Sequence, residues 1–133
     1  MMDTPTFPIQ AAYQAVEKLY VQAAIGATGT VGVTYKSPGI TSFTRTGAGV
    51  FRVLLSHKWS KLLLPVCVIE EADALGMEAG LHDEDVNGAT PFVDFVVRDG
   101  DSAWGDADPP DGSKLYICLD LKGHDEDLPA GAS

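Results

Sequence analysis

One β-hairpin between residues 39 and 55 constrains the fold of this chain more than any other feature. Residues 41–46 combine threonine with one phenylalanine, residue types that are favoured in strands. Gly47-Ala48-Gly49 follows as a three-residue connection, with glycine where a positive φ is needed. A hairpin of this clarity predicts an antiparallel all-β domain. Its second strand alternates, and the face that is predicted to be buried carries Phe51, Val53 and Leu55.

The rest of the chain has the pattern of further short strands joined by turns. Its 133 residues suffice for one domain with one core, and its 14 glycines and 8 prolines favour many short elements over a few long helices. Residues 11–25 fit a helix as well as a strand, but the alternation that ends at Ile25 favours a strand over 17–25. Further strands are predicted over 31–35, 62–69, 91–98 and 114–122.

These segments predict a single small antiparallel β-sandwich or barrel-like domain of about seven strands. Its β core is expected to span 17–122, preceded by an extended N-terminal arm at 1–12 and followed by a short flexible tail at 124–133. The run 62–69 is nearly all apolar, as in a strand that is covered on both faces. Pro65 within that run implies a sheet edge or a bulge.

Charge is distributed unevenly along the chain, whose net charge is −10. Residues 1–69 hold two acids and six bases, whereas residues 70–133 hold seventeen acids and three bases. This asymmetry predicts a dipolar molecule, or one that docks with an oriented face. In the hairpin, Arg45 and Arg52 are expected to point to water. The alternative is that the acids only keep a β protein soluble and protect its strand edges.

Two classes of partner are not expected. Nucleic-acid binding needs a clustered basic surface, which an acidic chain of this kind does not supply. A membrane-spanning helix needs about 20 apolar residues, and no run in the sequence approaches that length. The N-terminal residues also lack the basic and apolar regions of a signal peptide.

The two cysteines, Cys67 and Cys118, lie far apart in the sequence and outside any Cys/His cluster, so neither has the spacing of a zinc ligand. Each sits in an apolar run, which favours two buried thiols that pack as small hydrophobic groups. A disulfide between neighbouring strands stays open as an alternative, although no secretory context supports it.

An acidic segment has the spacing of a helix–loop–helix calcium site. It begins within residues 72–90, which are otherwise expected to be irregular. Oxygen donors occur at loop positions 1, 3, 5 and 12, with Gly88 at position 6. Pro91 inside the loop and the lack of amphipathic helical flanks favour ordinary turn chemistry instead, so no metal site is predicted. The donors in question are Asp83, Asp85, Asn87 and Asp94.

No catalytic or cofactor-binding arrangement is found, so the chain is predicted not to be an enzyme and to need no cofactor. Neither a serine-nucleophile motif nor a phosphate-binding glycine loop is present. The histidines fall in predicted connections without partners at metal-ligand spacing. They are His57, His82 and His124.

For two loop features, an ordinary structural role is favoured over a functional one. The acids between Asp99 and Asp111 are expected to be solvated rather than to line a cleft. Trp59 and Trp104 could form a platform for sugar stacking, but a single loop aromatic more often packs down as a lid.

Four sequence blocks, taken in their order along the chain, carry a resemblance. The hairpin block resembles a segment of small virion structural proteins of tailed bacteriophages, which reads roughly Gly-Ile-x-Ser-Val-Thr-Arg-Thr-Gly-x-Gly-x-Tyr-x-Val. The chain resembles these proteins in separate blocks over residues 17–122. The blocks are Ile25-Gly26-Ala27-Thr28-Gly29, residues 39–53, Lys58-Trp59-Ser60-Lys61-Leu62-Leu63 and residues 106–116.

The resemblance implies a capsid decoration, or cement, protein. Such a protein would be non-enzymatic, would bind the lattice of the major capsid protein on the capsid exterior, and would stabilise the shell. The partners implied are the major capsid protein and other copies of the chain, as a homotrimer. The protein would be made in the cytoplasm of the bacterial host and would end up in the virion.

Two other functions stay open. The first is a tail, knob or fibre component that binds host glycan, and the second is a small calcium-binding module.

The N-terminal arm is predicted to mediate assembly, because it is punctuated by proline and too apolar for a free tail. Its expected contact residues are Phe7, Ile9 and Tyr13.

Overall fold

The computed structural model describes residues 16–72, 76–99 and 106–123, and within them the chain is an all-β sandwich. Eight strands in these residues form two four-stranded antiparallel sheets that pack together. The predicted sandwich is confirmed, and the barrel-like alternative is wrong because the two sheets do not close on each other. The strands are β1 Val16–Ile25, β2 Val31–Lys36, β3 Ile40–Gly47, β4 Val50–Leu55, β5 Lys61–Glu70, β6 Glu78–Asp85, β7 Phe92–Arg98 and β8 Lys114–Lys122.

The connections between strands pass repeatedly from one sheet to the other. Sheet I has the strand order β2-β1-β8-β5, and sheet II has the order β3-β4-β7-β6. The chain therefore changes sheet after β2, β4, β5 and β7. A short 3-10 segment, Ala27–Gly29, joins β1 to β2. β8 lies in the middle of sheet I, between β1 and β5.

Alternate residues of the paired strands fill the space between the sheets. In sheet I, Leu19 lies opposite Leu119, and in sheet II, Phe51 lies opposite Phe95. Burying one such side chain contributes about 1.5–3 kcal/mol relative to leaving it in water, so these pairs hold the sandwich together. The predicted inward face of β4 is confirmed, since all three of its residues are buried: Phe51, Val53 and Leu55.

β6 lies in a segment that the sequence predicts to be irregular, so that prediction is wrong and the described strands number eight rather than seven. The strand forms the edge of sheet II and pairs only with β7. An edge strand tolerates charged side chains because much of its surface meets water, so no hydrophobic alternation marks it in the sequence. His82 belongs to this strand rather than to a connection.

β5 forms an edge of sheet I, which confirms the interpretation of Pro65. Its pairing with β8 also shifts register between Leu62 and Leu64, one residue before the proline. The prediction that both faces of this strand are covered is wrong, because the outer face lies open to solvent. This apolar strand therefore exposes side chains that its sequence pattern places in a core.

Several predictions fall on residues outside the described ranges. These include the N-terminal arm with Phe7, Ile9 and Tyr13, the tail at 124–133, Trp104 and His124.

Gly49 shapes the turn of the β3–β4 hairpin. Its φ is +72°, as the sequence pattern requires, and Val97 donates its N–H to the Gly49 carbonyl at 2.7 Å. A Cβ at this position would lie 2.6 Å from the backbone nitrogen of Ala107 and 2.7 Å from the carbonyl oxygen of Val97. Both the backbone conformation and the space therefore require glycine.

We expect Gly49→Ala to lower the free energy of unfolding by about 1–3 kcal/mol, because a side chain at positive φ is strained and this one also meets backbone atoms. Chemical denaturation measures the effect. Gly47→Ala is the matched control, since Gly47 has a negative φ and an added Cβ would meet nothing within 4 Å. Equal stability losses in the two variants would contradict this account of the turn.

Asp108 ties the hairpin to the segment that precedes β8. Arg45 donates to its two carboxylate oxygens at 3.0 and 2.9 Å, and the Gly49 N–H donates to one of them at 2.8 Å. Burial raises the pKa of Asp108, but the hydrogen bonds from Arg45 and Gly49 and the charge of Arg45 outweigh it and lower the pKa. The expectation that this loop acid is solvated is therefore wrong.

Because the pKa of Asp108 is lower in the folded state, its contribution to stability is present above 3.8 and is lost as the pH falls further. We expect Asp108→Asn to be less stable than the parent at neutral pH. The difference should narrow as the pH drops below 3.8, when the parent carboxylate becomes protonated. Thermal melts across this range measure it, with Asp111→Asn, an exposed acid of the same segment, as control. A constant difference at all pH values would refute the linkage.

Candidate protein-interaction surface

The outer face of sheet I is built by the alternation of β1, β8 and β5. β8 sends Leu115, Ile117, Leu119 and Leu121 into the core, so its intervening residues face outward. Register then decides their neighbours, because residues directly opposite in paired strands share a face. One transverse row is Tyr35, Gln22, Tyr116 and Val68, and the next is Tyr20, Cys118 and Val66.

This face carries large apolar side chains in contact with solvent. A sheet that leaves one face in water normally places polar residues there. Here several large apolar residues are exposed to solvent, with relative exposures of 51% for Leu64, 37% for Val66, 55% for Val68, 43% for Tyr20 and 50% for Tyr35. Grouped exposed apolar residues of this kind mark sites of contact with another molecule.

The centre of the face is a shallow groove of about 480 Å³, which we call the tyrosine groove. The Tyr116 hydroxyl donates to Glu70 at 2.7 Å, and this hydrogen bond raises the pKa of Tyr116. The bond holds one wall of the groove in a defined orientation. The outward residues that line the groove are Tyr20, Gln22, Tyr35, Val66, Val68, Tyr116 and Cys118.

Charged residues border the apolar centre. At one end Lys18 donates to Asp120 at 2.9 Å across β1 and β8, and this hydrogen bond raises the pKa of Lys18. At the other end lies Glu70, which is opposite Lys114. An apolar centre with a polar rim is the usual anatomy of a protein–protein interface. The face can therefore exclude water at its centre while its edges stay solvated.

The outer face of sheet II is different in character. Arg52 donates to both carboxylate oxygens of Asp94 at 2.8 and 3.0 Å, and its guanidinium lies 4.0 Å from the centre of the Phe92 ring. The hydrogen bond with Asp94 raises the pKa of Arg52. A cation above an aromatic ring covers apolar surface and is attracted to it. Phe92 is thus covered from within the chain.

The two differently charged parts of the sequence do not stay apart in the fold. Arg45 pairs with Asp108 and Arg52 pairs with Asp94, so bases of the first part neutralise acids of the second. Both arginines keep solvent-exposed side chains, 35% for Arg45 and 38% for Arg52, so the expectation that they point to water holds, but each also pairs with a carboxylate. The tyrosine groove, rather than a basic face, is the surface that the fold sets apart.

The residues of the calcium-like spacing do not converge. Asp83 and Asp94 lie opposite each other on two paired strands, β6 and β7, and not in a loop between two helices. Asp94 is already paired with Arg52. Asp85 and Gly88 form the turn between these strands, with the Gly88 N–H directed at the Asp85 carbonyl. Within the described ranges no three histidine, cysteine, aspartate or glutamate side chains are placed to hold a metal ion.

The cysteines lie on opposite faces of sheet I. Cys67 is opposite Ile117, whose side chain points inward, whereas Cys118 is opposite Val66 and lines the groove. Both thiols are free, and this placement excludes the disulfide alternative. Burial raises the pKa of Cys67 to about 12, as expected for a thiol that packs as an apolar group. Cys67 and Cys118 are both only partly buried, so the prediction of two buried thiols is wrong, although Cys67 does pack against the core.

Trp59 packs into the core, as the sequence interpretation favours. It is 3% exposed, and its ring lies 4.6 Å from that of His57. A buried indole offers no face to a sugar, so Trp59 cannot contribute to a glycan platform.

Within the described residues, no helix is both long enough and apolar enough to cross a bilayer.

Comparisons with known proteins supply no relative: no protein-family model, curated protein or solved structure matches the chain. The surface thus has to be judged from its own geometry. Sequence reasoning missed the tyrosine groove, although two signals for it were present. The apolar run of β5 contains more hydrophobic residues than one face can bury, and β8 places Tyr116 and Cys118 at outward positions.

We expect calcium not to stabilise the fold selectively, because Asp94 is held by Arg52 and the charge of Asp83 also acts on Arg52. A site occupied at roughly a hundredfold excess over its Kd would add about 2.7 kcal/mol to the free energy of unfolding. Thermal melts in calcium and in magnesium compare selective binding with general screening of the acidic chain. A rise in Tm that is specific to calcium and disappears in Asp83→Ala would contradict this expectation.

Proposed function

We propose that the protein is a non-enzymatic virion structural protein of a tailed phage, most simply a capsid decoration protein that binds the outside of the shell. Two independent arguments support the proposal. The ordered sequence blocks resemble such proteins, and the outer face of sheet I has the composition of a protein-binding surface.

The observation that carries the proposal is the exposure of Leu64, Val66 and Val68 on an edge strand of sheet I. Leaving these side chains in water forgoes about 25 cal/mol for each Å² of apolar surface that a partner would cover. An assembly protein recovers this free energy when it docks. Many identical copies on one lattice can then stabilise a shell through contacts that are individually modest.

The chain offers less to the competing functions. The tryptophan platform on which the glycan alternative is based loses Trp59, which is buried. A calcium module needs converging oxygen ligands, and Asp94 is paired with Arg52. The groove itself could admit a small ligand by its volume, but its outward lining is mainly tyrosine and valine with one amide, Gln22, and lacks the cluster of converging polar groups that fixes a small molecule.

Quantitative mass spectrometry of virions produced from the genome that encodes the chain tests the proposal. We expect copy numbers comparable with those of the major capsid protein. Val68→Lys should lower occupancy on the shell about tenfold or more, because a charge buried in an apolar contact costs at least 1.4 kcal/mol.

Ala89→Lys is the matched control for this variant. It adds the same charge at an exposed position between β6 and β7, far along the chain from sheet I, so occupancy should stay near the parent level. Both variants must retain the β circular dichroism spectrum. Absence of the protein from purified virions would overturn the proposal, and a copy number in the range of tail components would replace it with the tail alternative.

A further inference from the structure

We propose that the tyrosine groove binds the proline-containing N-terminal segment 4–9 of a second copy of this chain. The inference deepens the proposed function, since it names a partner for the same surface, but it depends only on the groove and the chain's own sequence. The segment reads Thr4-Pro5-Thr6-Phe7-Pro8-Ile9 and so contains two prolines separated by two residues.

The chemistry of the groove suits an occupant of this kind. Segments of the form Pro-x-x-Pro adopt the extended polyproline II conformation and dock in grooves lined by aromatic side chains. The groove presents three tyrosines, Tyr20, Tyr35 and Tyr116, with Gln22 among them. The backbone of such a segment makes no internal hydrogen bonds, so its carbonyls are free to accept from the Gln22 amide.

Spacing supports the match. Tyr35 and Tyr116 both lie opposite Gln22, one on each side, so two strand-to-strand steps of about 4.8 Å separate them. The backbone distance between the tyrosines is thus about 9.6 Å. Three residues of polyproline II span about 9.3 Å, which is the separation of Pro5 from Pro8. A segment lying across the strands therefore brings one proline to each tyrosine.

The exposed aliphatic side chains extend the match beyond the tyrosines. Val66 and Val68 stand on the β5 side of the groove, next to Tyr116 and Cys118 in the register. Phe7 and Ile9 supply apolar side chains of the segment. Residues 4–16 contain no charged side chain at all, so docking buries no charge.

The direction of β1 favours a second copy over the chain's own groove. β1 runs from Val16 towards Ile25, so the groove lies downstream of the point where the arm joins the strand. To cover its own groove, the chain would have to reverse direction within residues 10–15. That segment, Gln-Ala-Ala-Tyr-Gln-Ala, contains none of the glycine, proline, asparagine, aspartate or serine residues that make turns.

The arm is long enough to reach a neighbour. Val16 lies eight residue steps after Pro8, and an extended chain covers about 3.3 Å per step, or about 26 Å in all. A four-stranded sheet is only about 14 Å wide between its outer strands. The segment can therefore pass beyond the edge of its own sheet. An arm given to one neighbour and a groove filled by another make a head-to-tail contact, which forms a ring where the rotation between copies closes and an open filament where it does not.

A mixing experiment with the full-length chain tests the exchange. One variant loses the segment (Pro5→Ala with Pro8→Ala) and keeps the groove, while the other loses the groove (Tyr35→Ala with Val68→Lys) and keeps the segment. We expect the parent to self-associate in sedimentation velocity and each variant alone to be a monomer. An equal mixture should form complexes of the two variants, because each supplies what the other lacks.

Alkylation of Cys118 by iodoacetamide gives a second readout inside the groove. It should be at least tenfold slower in the parent at associating concentrations than in the proline variant, whereas Cys67, whose pKa is raised to about 12, should stay unreactive in both. Gln10→Ala, outside the proline segment, is the control and should behave as the parent. Circular dichroism must show that every variant keeps the β spectrum.

Three results would each overturn the inference. The first is a monomeric parent; if its Cys118 is protected, the segment folds back within one chain. The second is unchanged self-association in the proline variant, and the third is the absence of a complex in the mixture. Failure here can be told apart from failure of the proposed function. If the Val68→Lys protein is lost from virions while the proline variant still self-associates, the virion function stands and the arm exchange fails. If the two variants associate in the mixture but purified virions lack the protein, the arm exchange stands and the virion function fails.

Discussion

The register of β8 between β1 and β5 determines both what the sandwich buries and what it exposes. This register places Leu119 opposite Leu19 in the core and leaves Tyr116 and Cys118 on the outside. A shift of one residue would exchange the two faces of the strand, burying the tyrosine and exposing four aliphatic side chains. The core and the tyrosine groove are therefore two consequences of a single pairing pattern.

Ion pairs between distant parts of the chain support this arrangement. Asp108 joins the turn of the β3–β4 hairpin to the segment before β8, and Asp94 joins β7 to β4 through Arg52. Each pair is formed by two hydrogen bonds to one carboxylate, a geometry in which arginine is stronger and more specific than lysine. These two acids of the second half of the chain are thus neutralised by bases of the first half.

The exposed apolar face of sheet I favours assembly with another molecule. A monomer gains nothing from Val68 at the surface, but an assembly gains from covering it. If the arm of one copy fills the groove of the next, the copies are linked before they meet the shell. In the capsid role that we propose, the shell contact would then be multivalent, and linked contacts are far stronger together than singly.

The sequence by itself determined the local structure. The hairpin with Gly49 at positive φ, the all-β class, the alternation of β8 and the edge position of β5 at Pro65 all follow from short-range preferences of backbone and side chains, and the structure agrees with each. Only the tertiary structure decided which faces meet. Despite its acidic residues, β6 forms a strand because it pairs with β7 through backbone hydrogen bonds. Cys67 and Cys118 were sent to opposite sides of one sheet, and Leu64, Val66 and Val68 were left in water, because the second sheet covers one face of the first and nothing in a linear pattern says which.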